Sequence, residues 1–235
     1  MDRIDYDKVN LEDDMILVDK PAGISSFGVV NKVRWELTQR VRARNVAEGK
    51  ESGKKKVKVG HTGTLDPFAT GLLILMVGKG TKRCQEFLRH DKEYIANVRL
   101  GKTSTTGDPE GEISEMEGYK EPSEEEIANV VKSFIGEIEQ RVPAYSAVKI
   151  NGQRAYDLAR KGKEVEMPVK KVHIYNIEIL GYEWPDLKIR CEVGAGTYIR
   201  QLGMDIGEKL GTGAYLTELR RTKIDKYSVE KAYQI

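Results

Sequence analysis

The sequence predicts an α+β fold in which a largely antiparallel, mixed sheet is flanked by helices and loops. Short apolar or alternating runs typical of strands outnumber the segments with helical spacing. The regular alternation of strands and helices that a parallel sheet requires does not appear. Hydrophobic residues make up 39% and charged residues 32% of the 235 residues, as in ordinary globular proteins. Because no convincing linker divides the sequence, we expect a single domain over residues 1–235.

The first elements are predicted to be a strand, a capped helix and a loop. Met15–Val18 is apolar and ends at a Lys-Pro-Ala-Gly turn, which predicts a strand. Ser25 or Ser26 can cap the helix that follows. The apolar residues of that helix share one face at helical spacing: Val29, Val30, Val33 and Leu37. Arg40–Lys58 lacks apolar periodicity and is rich in glycine and charge, which predicts a mobile loop.

In the middle of the chain, strand patterns surround one helical segment. Val57–Val59 predicts a strand that leads into a glycine-rich turn. Leu72–Val77 is continuously apolar, which indicates a buried strand. Thr81–Arg89 predicts a helix, and Tyr94–Leu100 alternates like a strand with one buried face.

The second half of the chain contains three predicted helices and two predicted strands. Ser123–Phe134 begins with the Ser-x-x-Glu pattern of a capping box. Gln153–Lys161 predicts a short helix, and Ile199–Leu210 a longer one that stops at a glycine. Val172–Tyr182 and Leu187–Val193 predict strands joined by a Trp-Pro-Asp turn.

Sequence composition indicates the cellular compartment of the protein. No apolar run approaches the roughly 20 residues that a membrane-spanning helix needs. The acidic N-terminus lacks the apolar core of a signal peptide. Two cysteines, Cys84 and Cys191, fit a reducing compartment better than a disulfide framework. We therefore expect a cytoplasmic protein that does not associate with membranes.

Charge is unevenly distributed along the chain. The net charge is only +2, so the overall balance does not indicate a polyanionic partner. Arg40–Lys58 holds eight basic and two acidic residues, and it is either a phosphate-binding segment or a solvated loop. Asp108–Glu126 holds nine acidic residues against one basic residue, which predicts a solvated loop.

Metal and nucleotide motifs are weak. The three histidines are far apart in sequence and the cysteines form no Cys-x-x-Cys pair, so no zinc-type ligand spacing is present. Gly78–Lys82 superficially suggests a phosphate loop, but the complete P-loop pattern is missing. A strand-to-helix turn accounts for the glycines of that segment.

Two glycine-rich turns are candidates for chemistry. Gly60–Gly71 places three glycines around polar side chains and contains Asp66 before a proline, which holds Asp66 away from helical geometry. This segment is either a catalytic loop or a turn in which the aspartate caps the backbone. Gly194–Arg200 is the second turn. Arg200 is either the partner of a buried carboxylate or an ordinary surface arginine.

These turns, with four further segments, resemble the TruB family of pseudouridine synthases. The resemblance is strongest in Gly60–Leu73, which follows the catalytic motif of that family along its whole length. The other matching segments, in chain order, are Val18–Gly23, Lys92–Tyr94, Pro143–Lys149, Gly196–Arg200 and Leu219–Arg221. The resemblance implies a pseudouridine-synthase-like catalytic domain that works without a cofactor or metal.

The resemblance also implies which residues carry the reaction. Isomerising uridine to pseudouridine breaks the glycosidic bond, turns the base and rejoins it through carbon, which suits a carboxylate nucleophile. Asp66 is that nucleophile by resemblance, and Arg200 would pair with it and keep it ionised. Tyr94 would stack on the flipped base and serve as the candidate general base for a ribose proton.

By resemblance, four more residues bind the substrate. His61 would help to draw the target nucleotide out of the RNA, and Tyr198 would brace the pocket. Leu219 would line the pocket, and Lys20 belongs to a matching segment. The usual substrate of the family is the uridine at position 55 in the T loop of tRNA, so tRNA is the expected partner of a monomeric enzyme.

Two departures from the family pattern concern RNA binding. Bacterial members often carry a C-terminal RNA-binding domain of the PUA type, which we do not expect in this sequence. The basic segment looks longer than the family loop, and its lysines are candidates for RNA backbone contacts: Lys54, Lys55, Lys56 and Lys58. Two alternatives stay open, a non-catalytic tRNA-binding or tRNA-folding protein and the catalytic subunit of a guide-RNA pseudouridylation particle.

Overall fold

The structure is a computed structural model that describes residues 2–51, 56–146, 148–150, 152–159 and 166–235. The chain divides into two compact units, one formed by Met1–Lys92 with Arg220–Ile235 and the other by Glu93–Leu219. No helix within the described ranges is both long and apolar enough to cross a bilayer.

The described elements comprise strands, α-helices and short 3-10 turns. The strands are β1 (Asp13–Lys20), β2 (Val59–His61), β3 (Thr70–Gly78), β4 (Lys92–Leu100), β5 (Lys102–Ser104), β6 (Ile113–Glu115), β7 (Gly136–Arg141), β8 (Lys149–Ile150), β9 (Gln153–Arg154), β10 (Val169–Glu183), β11 (Asp186–Val193), β12 (Ala214–Ile224), β13 (Tyr227–Ser228) and β14 (Tyr233–Gln234). The α-helices are α1 (Ser26–Ala47), α2 (Cys84–Leu88), α3 (Glu124–Lys132), α4 (Ala155–Ala159) and α5 (Ile199–Lys209). The 3-10 helices are Lys79–Arg83 and Val229–Lys231.

In the first unit, mixed strand pairing supports one long helix. Strand β3 pairs antiparallel with β1 and β2 and parallel with the end of β12, while β14 adds to β1 in parallel. The apolar face of α1 packs on this sheet and buries Val29, Val33 and Leu37 with Val18 and Leu73. The sheet and α1 therefore form the core beneath the segment that joins β2 to β3.

In the second unit, antiparallel strands dominate. β11 and β7 flank β10 with antiparallel registers, and the sheet order runs β12, β4, β11, β10, β7. The inward residues of β4 alternate with partly exposed ones, as the sequence predicted. Together with the mixed pairing of the first unit, this confirms the predicted α+β class with a largely antiparallel, mixed sheet.

Most predicted helices are confirmed, with their caps. The Ser25 side chain accepts a hydrogen bond from the Gly28 N–H at the start of α1. Ser123 and Glu126 form the predicted capping box of α3. α5 ends just before Gly211, which has a φ of 74° as a C-terminal cap requires. Gly78, with a φ of 60°, makes the predicted turn into the 3-10 helix.

Four predicted segments have other boundaries in the structure. The segment Arg40–Lys58 begins as a helix, because α1 continues to Ala47 before Gly49 ends it with a φ of 71°. The end of α1 is rich in arginine and alanine, which favour helix. The lack of apolar periodicity after Arg40 therefore reflects a helix with an exposed surface, not a loop. The predicted helix Thr81–Arg89 is a 3-10 turn followed by α2, and β2 begins only at Val59. The predicted helix Gln153–Lys161 forms over Ala155–Ala159, and its end lies outside the described residues.

Candidate active site

Asp66 lies in the turn that joins β2 to β3 in the first unit. The backbone closes this turn locally, since the Ala69 N–H donates to the Asp66 carbonyl at 3.2 Å. Gly71 at its end has a φ of 104°, and a side chain there would place a Cβ 2.2 Å from the Arg221 carbonyl. Only glycine fits at this position, so the turn can press directly against β12.

Ser26 fixes the turn to the start of α1. Its hydroxyl donates to the Leu65 carbonyl at 2.9 Å and accepts from the Leu65 N–H at 2.8 Å. Both groups are buried. The residue before Asp66 therefore has both of its backbone polar groups satisfied by one side chain, which leaves little freedom to rotate.

Two buried cations hold the backbone on either side of Asp66. Arg221 is 1% exposed and donates to three carbonyls, those of Leu72 at 2.8 Å, Gly63 at 3.3 Å and Thr64 at 3.4 Å. On the other side, the Lys20 ammonium donates to the Pro67 carbonyl at 3.1 Å.

Lys20 is also bound to its own strand end. It is fully buried and donates to the Pro21 carbonyl at 2.9 Å and the Ile24 carbonyl at 2.7 Å. These contacts indicate that Lys20 positions the turn, while the substrate-binding role suggested by resemblance stays a prediction.

His61 lies at the entrance to the turn, at the end of β2. Its Nδ1 faces the Gly63 N–H at 3.4 Å and acts as the acceptor. Burial lowers the pKa of His61 below its usual 6.5, and the nearby Arg221 guanidinium lowers it further. The imidazole is therefore neutral at pH 7 and offers no positive charge to RNA.

In the second unit, Arg200 is a buried arginine at the start of α5. Its guanidinium donates to the Thr106 and Tyr145 carbonyls, each at 2.8 Å. It also forms an ion pair with Asp108 at 3.3 Å, and both side chains are about 95% buried, with 5% and 4% exposed. Asp108 in turn accepts from the Thr106 hydroxyl at 2.5 Å and the Glu110 N–H at 3.0 Å.

Asp108 corrects one prediction. The acidic segment Asp108–Glu126 was expected to be solvated, and its first residue is instead a buried ion-pair partner of Arg200. A charge count over the segment hid this residue, because its burial depends on contacts distant in sequence. The interpretation of Arg200 as an ordinary surface arginine is likewise wrong.

Tyr94, Tyr198 and Leu219 also lie in the second unit. Tyr94 is buried on β4, and Leu219 is buried on β12. Tyr198 precedes α5, where the Gln140 amide accepts from its N–H at 2.8 Å and donates to its carbonyl at 3.1 Å. Gln140 is itself buried, so the backbone at Tyr198 is fixed.

A cavity of about 240 Å³ opens beside Arg200. Thr106 and Tyr145, whose carbonyls bind the guanidinium, are part of its wall. The other lining residues are Thr105, Arg141, Val142, Pro143, Ala144, Met167, Gln201 and Met204. Polar and apolar side chains both line the cavity.

The predicted site residues are distributed over both units. Lys20, His61 and Asp66 lie in the first unit, and Tyr94, Tyr198, Arg200 and Leu219 lie in the second. A pairing of Arg200 with Asp66 stays a prediction. Lys56 and Lys58 are exposed before β2, whereas Lys54 and Lys55 lie outside the described residues. Sequence reasoning missed Ser26 as a turn anchor, Asp108 and Gln140, since none of them stands in a recognisable spacing.

Comparison with known proteins identifies the family of this chain. The family described as TruB family pseudouridylate synthase (N-terminal domain) matches residues 50–199, which include the Asp66 turn. The tRNA pseudouridylate synthase B C-terminal domain matches residues 200–235, beginning at Arg200. The chain belongs to the TruB family of pseudouridylate synthases. Its assignment to the pseudouridine synthase enzymes, predicted by resemblance, is thereby confirmed.

Members of the TruB family similar to this chain match it over nearly its full length. A protein named tRNA pseudouridine synthase B from Phocaeicola vulgatus is 44% identical over 224 residues, covering 95% of this chain and 91% of that protein. One of the same name from Bacteroides fragilis is also 44% identical, covering 94% and 90%. The TruB fold is shared with a chain of a solved Cbf5-Nop10-Gar1 complex, at 31% identity and a TM-score of 0.66. The match covers 94% of this chain but only 52% of that one.

Proposed function

We propose that this chain isomerises uridine to pseudouridine at position 55 in the T loop of tRNA, with Asp66 as the nucleophile. The observation that carries the proposal is the 44% identity, over 95% of the chain, to a tRNA pseudouridine synthase B. The restricted backbone of the Asp66 turn also supports the proposal. A nucleophile must keep its orientation while the base leaves and returns, and Ser26, Lys20 and Arg221 restrict the backbone around it.

The reaction needs only acid–base and nucleophilic groups. The Asp66 carboxylate attacks the sugar or the base, the bond between the ribose and the base nitrogen breaks, and the base turns. A bond from the same ribose carbon to a carbon of the base then forms, this base carbon loses its proton, the base nitrogen that left the ribose gains a proton, and the carboxylate is released. Substrate and product are isomers, so no electrons are exchanged with another reactant. Tyr94 is the proposed general base: it takes a proton from the ribose as the base leaves and returns it when the base rejoins, and its ring stacks on the turned base.

The remaining residues are proposed to hold the flipped uridine. Arg200 stabilises the ionised carboxylate of Asp66. The buried ion pair with Asp108 fixes the orientation of the Arg200 guanidinium. Tyr198 braces the binding site of the flipped uridine, and Leu219 lines it. Neutral His61 contacts the strand from which the nucleotide is withdrawn, a step that is required because the uridine is otherwise stacked. The 235 residues act as one cytoplasmic, monomeric catalytic domain on tRNA, without a cofactor.

Replacing Asp66 by Asn tests this proposal. Asparagine keeps the shape and hydrogen bonding of the side chain but provides no nucleophilic carboxylate, so pseudouridine formation should disappear while tRNA binding is retained. Asp225→Asn is a matched control, since Asp225 is an exposed carboxylate of the same unit with a φ of 49° that asparagine tolerates. Mass mapping of pseudouridine and a binding titration measure both properties. Turnover of Asp66→Asn within tenfold of the parent would exclude Asp66 as the nucleophile.

A further inference from the structure

Helix α1 carries two exposed aromatic side chains on the face directed away from the core. Phe27 is 58% and Trp35 is 59% exposed, whereas Val33 and Leu37 of the same helix are buried. Phe27 and Trp35 are eight residues apart, so they lie on one face about 12 Å apart at roughly 1.5 Å per residue. Neither ring contributes to the core of the first unit. Two large aromatic rings exposed on one helix are candidates for a contact surface when charged groups accompany them.

Cations accompany the two rings. The Arg34 guanidinium lies 5.6 Å from the centre of the Phe27 ring and donates to the Asn31 side chain. Lys32 is exposed one turn from Trp35. Within the described ranges, the ion pairs of α1 involve Arg40 alone, which contacts Asp7 at 2.6 Å. Lys32 and Arg34 are therefore available to an anionic partner.

Helix α1 carries an excess of positive charge. Its five basic residues face a single acidic one, Glu36. A polyanion that binds along this helix would balance the excess.

The aromatic face begins beside the Asp66 turn. Ser26, which binds both backbone groups of Leu65, immediately precedes Phe27. Both belong to the first unit. An RNA strand that delivers a nucleotide to Asp66 therefore passes close to Phe27, and the direction of α1 leads from there to Trp35.

We propose that Phe27, Arg34 and Trp35 form a stacking surface on which unpaired bases of the substrate RNA bind, with Lys32 and Arg34 contacting its phosphates. Aromatic rings next to cations are the chemistry with which proteins bind single-stranded nucleotides. A lipid surface fits poorly, because the apolar face of α1 is already buried in the core. A second copy of the chain fits poorly too, because two such faces would oppose like charges. The inference rests on the proposed function in that the ligand is RNA.

Tryptophan fluorescence tests the contact directly. The chain has two tryptophans, so Trp184→Phe leaves Trp35 as the single reporter. Titration with an isolated T stem-loop transcript and with full-length tRNA should quench this emission, because a base stacked on the indole quenches it. Emission that does not change at saturating RNA, with binding verified separately, overturns the proposal.

Affinity and rate separate a binding surface from a structural one. Phe27→Ala and Trp35→Ala should each weaken tRNA binding at least about fivefold, as expected for the loss of one stacked base. The single-turnover rate at saturating tRNA should stay unchanged. Tyr175→Ala removes an aromatic ring of similar exposure, 48%, from β10 and should leave the affinity unchanged. Equal losses in all three variants, or a rate loss at saturation, contradict a stacking surface on α1.

The outcomes distinguish this inference from the proposed function. If the parent forms no pseudouridine but tRNA still quenches Trp35, the stacking surface stands and the proposed function fails. If the parent is active while Trp35 is neither quenched nor needed for affinity, the inference fails alone. Sedimentation tests for a dimer. If the parent is a dimer that dissociates in Trp35→Ala while the RNA affinity is unchanged, the aromatic face binds a second copy of the chain and the proposal is overturned.

Discussion

At the residue scale, buried charged side chains bind the backbone carbonyl groups before and after Asp66. One guanidinium, that of Arg221, reaches Gly63 and Thr64 before Asp66 and Leu72 after the turn. Within the part of the chain that the structure describes, the hydrogen-bond partners of Arg221 are carbonyls. Burying such a cation is costly, so Arg221 contributes geometry more than stability. The position of the Asp66 carboxylate thus depends on a residue in β12, far away along the sequence.

We expect Arg221→Lys to lower the single-turnover rate at saturating tRNA by about tenfold or more, with tRNA affinity within twofold of the parent. A lysine ammonium cannot span the three carbonyls as the planar guanidinium does, and displacements near 1 Å can cost roughly a hundredfold in rate. Arg99→Lys, which alters a half-buried pair with Asp186, is the matched control. If Arg221→Lys folds and keeps the parental rate, the Asp66 turn does not need the three hydrogen bonds of the guanidinium.

Lys92 gives a second prediction, concerning stability. Burial and, to a smaller extent, the Arg221 guanidinium together lower its pKa from 10.5 to about 8, against an opposing effect of Asp91. Since the unfolded chain holds the proton up to about pH 10.5, the folded state binds fewer protons between pH 8 and 10.5. The contribution of Lys92 to the free energy of unfolding must therefore rise with pH across that window.

Comparison of the parent with Lys92→Met by urea unfolding, from about pH 7.5 to about pH 10.5, isolates this contribution. Other groups titrate equally in both proteins and cancel. The stability of the parent relative to the variant should increase as the pH rises from 8 towards 10.5. A difference that is constant with pH would mean that Lys92 keeps its ordinary pKa in the folded protein.

At the scale of elements, the sequence predicted those whose pattern is local. The alternation of β4, the apolar run of β3 and the Ser123 capping box each depend on side chains within one segment, and all are confirmed. β7 and β12 were not predicted, because charged residues interrupt their apolar pattern and their registers depend on distant partner strands. The site residues differ in the same way. The spacing of glycines in the sequence predicts the Asp66 turn, whereas the Arg200–Asp108 pair could be identified only from the structure.

The basic segment that follows α1 yields a prediction for RNA binding. Lys56 is exposed just before β2 and the Asp66 turn, and Lys54 and Lys55 lie next to it in sequence. Changing all three to Gln should weaken tRNA binding and flatten its salt dependence. Each phosphate that is no longer bound should reduce the logarithmic slope by roughly 0.7 in a single strand and by about 0.9 in a duplex. The chemical step at saturating tRNA should hardly change, because phosphate contacts position the RNA.

The matched control for the basic segment replaces three exposed lysines from elsewhere on the chain: Lys170, Lys188 and Lys231. It removes the same charge, so a general electrostatic effect would weaken binding equally in both triple variants. A selective loss assigns the contacts to the segment before β2. If the triple Gln variant of the basic segment keeps the parental tRNA affinity and salt dependence, that segment does not contact the RNA.

At the scale of the whole molecule, the open question is whether the chain selects its target alone. The solved Cbf5-Nop10-Gar1 complex contains a chain of which this one covers 52%, whereas the curated relatives from Phocaeicola and Bacteroides are covered to 91% and 90%. Relatives of similar length are thus named for tRNA, and the more distant likeness is to a chain found with other proteins. The overall charge of +2 is too small to bind RNA unselectively, so selectivity must come from local surfaces.

We therefore expect the purified chain, without guide RNA or partner proteins, to form pseudouridine at position 55 in a tRNA transcript and in an isolated T stem-loop. RNA loops of this kind are recognised by shape and by unstacked bases, which the T stem-loop retains by itself. Mass mapping of both products measures the outcome, and a transcript with cytidine at position 55 is the control. Activity that appears only after guide RNA and partner proteins are added would assign the chain to a guide-RNA particle. Tight tRNA binding without any pseudouridine would instead identify a tRNA-folding protein, because binding and remodelling need no nucleophile.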